Sequence, residues 1–198
     1  MQPGRLVVLT GPSGVGKGSI MAHLRATRTL PAWFSISATT RPPRPGEVDG
    51  EHYFFVDEQR FLQMIERGEL LEHAHFAGKR YGTPREPVED HLRRGESVLL
   101  EIELAGARQV KIAMPEAFMV FLAPPSREEL RRRLLGRGTE TDEQVAARLA
   151  QADVEMAAEG EFDAVVVNDD IERASAELVD LIVGRRPARA GRATHERT

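Results

Sequence analysis

One segment restricts this chain more than any other in its 198 residues: Gly11, Pro12, Ser13, Gly14, Val15, Gly16 and Lys17, in the spacing G-x-x-x-x-G-K. An apolar, β-rich run at 6–9 precedes it, and an amphipathic stretch from about 18 to 28 follows it. Together they predict a strand, a glycine-rich turn and a helix in that order. Glycines let several backbone N–H groups converge on one point, and the helix N-terminus adds partial positive charge there. An oxyanion answers both. Lys17 supplies a point charge suited to the β- and γ-phosphates of a nucleoside triphosphate. An ordinary glycine-rich turn has no need for strand, spacing, lysine and helix to coincide.

The rest of the chain supplies the frame for such a loop. Apolar runs at 97–102, 118–122 and 163–168 read as strands buried on both faces, followed by helical patterns at 105–113, 127–135 and 171–183. Ser126, ahead of Glu128 and Glu129, is an N-cap signal. This alternation predicts an α/β class, a three-layer P-loop NTPase fold with a mainly parallel sheet. Two segments break the pattern. Residues 35–94 carry Pro42, Pro43, Pro45 and the turn Asp49-Gly50, with alternating runs near 52–55 and 70–76. They predict an inserted β-rich lobe with one helix starting near Asp57. Residues 136–142 form a polar, glycine-bearing break between helical patterns at 127–135 and 143–158, suited to a short mobile lid. The expected organisation is a single domain over 1–183, its core at about 1–34 and 95–183. A basic tail, 184–198, lacks apolar periodicity and is expected to be disordered.

Composition excludes several classes. The absence of cysteine removes disulfide frameworks, thiolate metal sites and cysteine nucleophiles. A net charge of −4 argues against non-specific nucleic-acid binding. Met1 to Gly4 lead straight into the first strand, so no leader peptide is expected, and no apolar run reaches membrane-spanning length. The expected location is the cytoplasm, with small nucleotides as partners and neither nucleic acid nor membrane; the sequence is silent on oligomeric state. A GTPase would need an Asn-Lys-x-Asp segment to read guanine, but the one asparagine, Asn168, is followed by Asp169 and Asp170.

The inserted lobe holds the second strong signal. In Ser37-Ala-Thr-Thr-Arg41-Pro-Pro-Arg44-Pro-Gly, polyproline geometry repeats about every three residues, so Arg41 and Arg44 are expected to project from one side. Two guanidinium groups on a stiff backbone suit a monophosphate dianion, although a pair of surface arginines on a proline loop reads the same way.

The block 37–53, followed by 72–83, resembles the GMP-binding region of guanylate kinases. The likeness continues through Glu101-Ile-Glu103, Ala123-Pro-Pro-Ser126, Arg137-Gly-Thr-Glu140 and Val167-Asn168-Asp169, and spans roughly 5–183 in order. It implies an ATP:GMP phosphotransferase of purine metabolism, recycling GMP and dGMP. Arg41, Arg44, Tyr53 and Tyr81 would hold the GMP phosphate; Ser37, Glu72, Thr83 and Glu103 would surround the guanine. Carboxylates answer guanine N1–H and N2–H₂, and hydroxyls can answer O6. Adenine would leave such a carboxylate unpaired. Glu101 reads either as an acid near magnesium or the GMP ribose, or as a salt-bridge partner of Lys17. The resemblance makes Arg133, Arg137 and Arg148 phosphate-contacting arginines of the lid and puts Asn168 near the adenine. Other acceptors remain open, namely AMP, dTMP or a phosphorylated sugar, as does a non-catalytic phosphopeptide-binding module built on the same lobe.

Three positions depart from the family pattern. Gly18 stands where a P-loop usually carries Ser or Thr, an order similar to adenylate kinases, with Ser19 the nearest hydroxyl. Magnesium is therefore expected mainly through ATP phosphates and water. Glu103 replaces Asp, and Ala105 replaces Gln. The acceptor oxygen of GMP is already ionised, so no general base is needed. Lys17, Arg133, Arg137 and Arg148 are the expected catalytic cations, acting by positioning and charge neutralisation.

Overall fold

The computed structural model describes residues 4–135 and 142–185. Its centre is a five-stranded sheet, all parallel, in the order β2 (Trp33–Phe34), β7 (Val98–Glu101), β1 (Leu6–Thr10), β8 (Phe118–Ala123) and β9 (Ala164–Val167). Successive side chains of β1 point to opposite faces, and both are apolar. Val7 and Leu9 pack with Ile20, Met21 and Leu24 of α1 (Lys17–Thr27) and with Leu178, Leu181 and Ile182 of α7 (Ile171–Ile182). Leu6 and Val8 pack on the other side with Ala107 and Val110 of α4 (Leu104–Ala113). Each fully buried aliphatic side chain in these layers contributes about 1.5–3 kcal/mol.

The second sheet has four strands in the order β4 (Phe54–Phe55), β3 (Ala38–Thr39), β6 (Lys79–Pro84) and β5 (Leu70–Phe76). Its small core joins Ala38 and Leu70 to Phe61 and Met64 of α2 (Glu58–Glu66), which Asp57 caps by accepting from the Arg60 N–H at 2.7 Å. A bulge between Leu70 and Glu72 lets neighbouring residues serve different cores: Leu70 stays in the lobe while Leu71 enters the main core beside Val8.

Where the sequence predicts one helix between 35 and 94, the structure has two. The second, α3 (Arg85–Arg93), carries Pro87 in its first turn, where a missing N–H costs no helical bond, and buries Val88 against Leu6 and Val98. Beyond β8 come α5 (Arg127–Leu135), with the Ser126 hydroxyl accepting from the Glu129 N–H, and α6 (Asp142–Ala157). Leu130 and Leu134 of α5 pack with Ala152 of α6. Of the expected lid, 136–142, residues 136–141 including Arg137 lie outside the described residues, while Asp142 opens α6; of the expected tail, 184–198, the part beyond 185 lies outside them too.

Candidate functional site

The beginning of α1 differs from those of α2 and α7. Whereas α2 and α7 start at aspartates that accept backbone N–H groups, α1 starts at Gly16 with no side-chain cap and no acidic residue in its first turn. Its first N–H groups are thus left for an external acceptor. Gly16 has φ +101°, and a β-carbon there would lie 2.5 Å from Asn168 Nδ2, so the turn excludes side chains on two counts.

A cavity of about 810 Å³ opens over this helix end. Gly11, Pro12, Ser13, Gly14, Gly16, Lys17, Gly18 and Ser19 line it together with Glu101 and Glu103 from the end of β7, Arg133 from α5, Arg148 from α6, and Asn168 after β9. Val15 is the member of the loop that does not line it: its side chain is buried in the core, and its N–H donates to the Pro12 carbonyl. The Val15 carbonyl instead accepts from Asn168 Nδ2 at 2.8 Å and from Arg133 Nη1 at 3.0 Å. Arg133 also donates to the Asn168 carbonyl at 3.0 Å and to Glu129 at 2.7 Å. Asn168 and Arg133 therefore brace the back of the loop.

Lys17 donates to the carbonyls of Gly11, at 2.5 Å, and Pro12, at 3.4 Å. Burial lowers its pKa, while Glu101, Glu155 and Glu103 pull it back up. Among the described residues no ion pair within 4.0 Å joins it to Glu101. Arg148 donates to Ser13 Oγ at 3.1 Å. One participant is absent from the sequence reading: the Ser13 N–H donates to Glu155 Oε2 at 3.1 Å, so a carboxylate from α6 occupies one of the loop's anion-binding groups. A glutamate 142 positions away carries no local signal of that role.

The lobe contributes a separate cluster. Strand pairing sets Glu72 opposite Thr83, Gly82 opposite Ala38, and Ala38 beside Phe54. One residue further along that register, Ser37 falls opposite Thr83 and Tyr53 falls beside Ser37. Tyr53, Ser37, Thr83 and Glu72 thus form one row across four strands, about 4.8 Å apart from strand to strand. Tyr81, two residues before Thr83, lies on the same face.

Glu72 is 6% exposed and accepts from the Thr83 hydroxyl at 2.7 Å. Burial raises its pKa; the Thr83 bonds oppose that, and the charge of Glu103 adds to it. Glu103, which lines the phosphate cavity, has a charge that bears on both Glu72 and Lys17. Arg41 stacks 5.2 Å from the Tyr53 ring, which meets Tyr81 edge-on at 6.3 Å.

The proline segment holds a second residue that the sequence did not single out. Glu47 takes both prongs of Arg41, at 2.8 and 2.9 Å, and the Arg44 backbone N–H at 2.7 Å. The Arg41 hydrogen bonds, followed by that of Arg44, bring its pKa down to about 2. The two arginines are therefore not equivalent here: Arg41 is half-buried and oriented by a carboxylate, while Arg44 is exposed and meets Glu47 through its backbone.

The Ser19 hydroxyl and the Glu101 carboxylate are hard oxygen donors beside the loop, of the kind magnesium prefers; Gly18 offers no side chain. No group of three or more His, Cys, Asp or Glu gathers as a metal cage among the described residues. No helix among them is long and apolar enough to cross a membrane.

The guanylate kinase family model matches residues 3–184. A guanylate kinase of Frankia casuarinae is 58% identical over 184 residues, covering 93% of this chain and all of that protein. One of Thermobifida fusca is 58% identical over 181 residues, 91% of this chain and 92% of the other. The crystal structure of guanylate kinase from Anaplasma phagocytophilum superposes with a TM-score of 0.70 at 33% identity, covering 96% of this chain and 89% of that one.

Proposed function

The chain belongs to the guanylate kinase family and phosphorylates GMP with ATP as donor, and from that premise we propose how its residues divide the work. The relatives favour neither another acceptor nor a non-catalytic module. The loop from Gly11 to Ser19 holds the ATP phosphates on the uncapped end of α1, and Asn168 borders the adenine side. Glu72, Thr83, Ser37 and Glu103 read the guanine. Tyr53, Tyr81, Arg41 and Arg44 hold the GMP phosphate, Arg41 through a guanidinium that Glu47 keeps in place.

The observation that carries this reading is a buried carboxylate, Glu72, held by the Thr83 hydroxyl, with the phosphate cavity lined by Glu103 at the start of the helix that packs against it. It supports an acid that pairs with guanine donors close to a phosphate grip. A monophosphate oxygen is the nucleophile and already carries charge, so the chain supplies no base. Lys17, Arg133, Arg148 and Arg137 neutralise the transferring group as lobe and lid close, excluding water. Magnesium would be held by the ATP phosphates and water, with Ser19 and Glu101 as oxygen donors lining the same cavity, and it would supply neutralisation of the phosphate charge. The enzyme works in the cytoplasm as one domain, 1–183, on small nucleotides.

The test is ADP formation measured against a panel of monophosphates. GMP should be used far better than AMP or dTMP. Equal use of all three would remove the base-reading pocket.

A further inference from the structure

Glu72 stands on β5, the edge strand of the lobe's sheet, with β6 pairing it on one side only. The structure provides support on the other side from the main domain. Gln109, on α4, accepts from the His73 N–H at 3.1 Å through Oε1 and donates to the His73 carbonyl at 3.0 Å through Nε2. Its carboxamide thus pairs with the free edge of β5 as a further strand would, one residue from Glu72. One turn earlier, Gly106 is buried against the same carboxylate. A β-carbon at Gly106 would lie 2.7 Å from Glu72 Oε2, 3.3 Å from Cδ and 3.4 Å from Cγ. The backbone of Gly106 needs no unusual φ, so what a side chain there would meet is the carboxylate itself, which would have to shift.

We propose that Gln109 and Gly106 are positioning residues for base selection: Gln109 fixes the β5 backbone at Glu72, and Gly106 sets how far the carboxylate reaches. The inference rests on Glu72 being the guanine acceptor, and it adds the helix that places that acceptor. Two chemistries converge on one carboxylate. Thr83 orients one oxygen from the lobe, and α4 limits the other from the core. Because α4 directly follows Glu101 and Glu103, the same rigid element ties the base-reading acid to the phosphate cavity. Base selection of this kind tolerates displacements of only about 0.5 Å.

The probe is inosine monophosphate, which is GMP without the exocyclic amine and so reports the N2 contact alone. Gln109→Leu keeps volume and removes both bonds to His73, along with a longer one to the Ala105 carbonyl within α4. It should raise KM for GMP about tenfold, leave kcat within about twofold and KM for ATP unchanged, and shrink the GMP-to-IMP preference about tenfold. Gly106→Ala, which must push Oε2 aside, should move the same preference in the same direction. A variant that merely weakened the fold would lower use of both nucleotides together. Glu72→Gln serves as the reference. If it abolishes the preference while Gln109→Leu keeps it, the positioning role is refuted and base reading survives. If Glu72→Gln itself keeps the preference, both fall. Should Gly106→Ala fail to fold, Gln109→Leu decides alone, since its hydrogen bonds to His73 lie at an exposed edge.

Discussion

Replacing Glu72 by Gln should make the protein more stable at neutral pH while removing most of its activity. The carboxylate is 6% exposed, and among its hydrogen bonds is that from the Thr83 hydroxyl at 2.7 Å. Guanine would bring two donors, N1–H and N2–H₂. Glu72→Gln keeps one acceptor oxygen but turns a donor toward one of those N–H groups. A charge-assisted bond is worth about 1.5–3 kcal/mol, and stranding a desolvated donor costs about 1 kcal/mol more. The loss of roughly 2.5–4 kcal/mol predicts a fall of about 70- to 1,000-fold in kcat/KM for GMP, with KM for ATP little changed. Stability moves the other way because burial is the main cause of the raised Glu72 pKa. A carboxyl with a raised folded pKa contributes fully below its ordinary value of 4.5 and loses that contribution as pH rises through the folded value. The variant has no such loss. Its melting temperature should match the parent near pH 4, rise above it as pH climbs through the folded value of the parent's carboxyl, and keep a constant lead beyond. The wild-type acid limb for GMP use should vanish as well. Thermal melts across pH, alongside a coupled assay, measure both. A variant less stable than the parent at pH 8, or one losing ATP and GMP use equally, would refute the reasoning.

Three further outcomes follow from the cavity. Lys17→Ala should lower kcat by about 100- to 1,000-fold with little change in melting temperature, because the fold gives up a buried ammonium; half the wild-type kcat would contradict the phosphate grip. Glu155→Gln should tighten ATP binding about two- to tenfold in calorimetry, since the nucleotide no longer displaces a charged carboxylate from the Ser13 N–H; weaker binding would show that this contact does not compete. Asn168→Ala removes one of the two bonds to the Val15 carbonyl, leaving that from Arg133, and should cost about 0.5–1.5 kcal/mol, or roughly 1–6 °C in melting temperature; an unchanged melt would mean that Arg133 braces the loop alone.

Local chemistry was enough for the phosphate loop, because its strand, glycines, lysine and helix are contiguous and each constrains the next. The same holds for the helix starts at Asp57 and Ser126, where the capping bond spans three residues. The four-strand lobe was legible as β-rich, but β3 and β4 are two residues each and leave no period to read. Helix α3 was hidden by Pro87 and by a buried face centred on Val88.

The sequence by itself determined that this chain grips a triphosphate, and its motif order carried the family resemblance with it. Which side chains meet was decided by tertiary pairing. Tyr53, Ser37, Thr83 and Glu72 are far apart along the chain, and the strand order β4-β3-β6-β5 puts them in one row. Glu155 at Ser13, Glu47 on Arg41 and α4 against Glu72 are contacts made through space. The physical reason is range. Capping, turns and periodicity act over a few residues, whereas a carboxylate's partners and burial depend on which distant segments pack beside it.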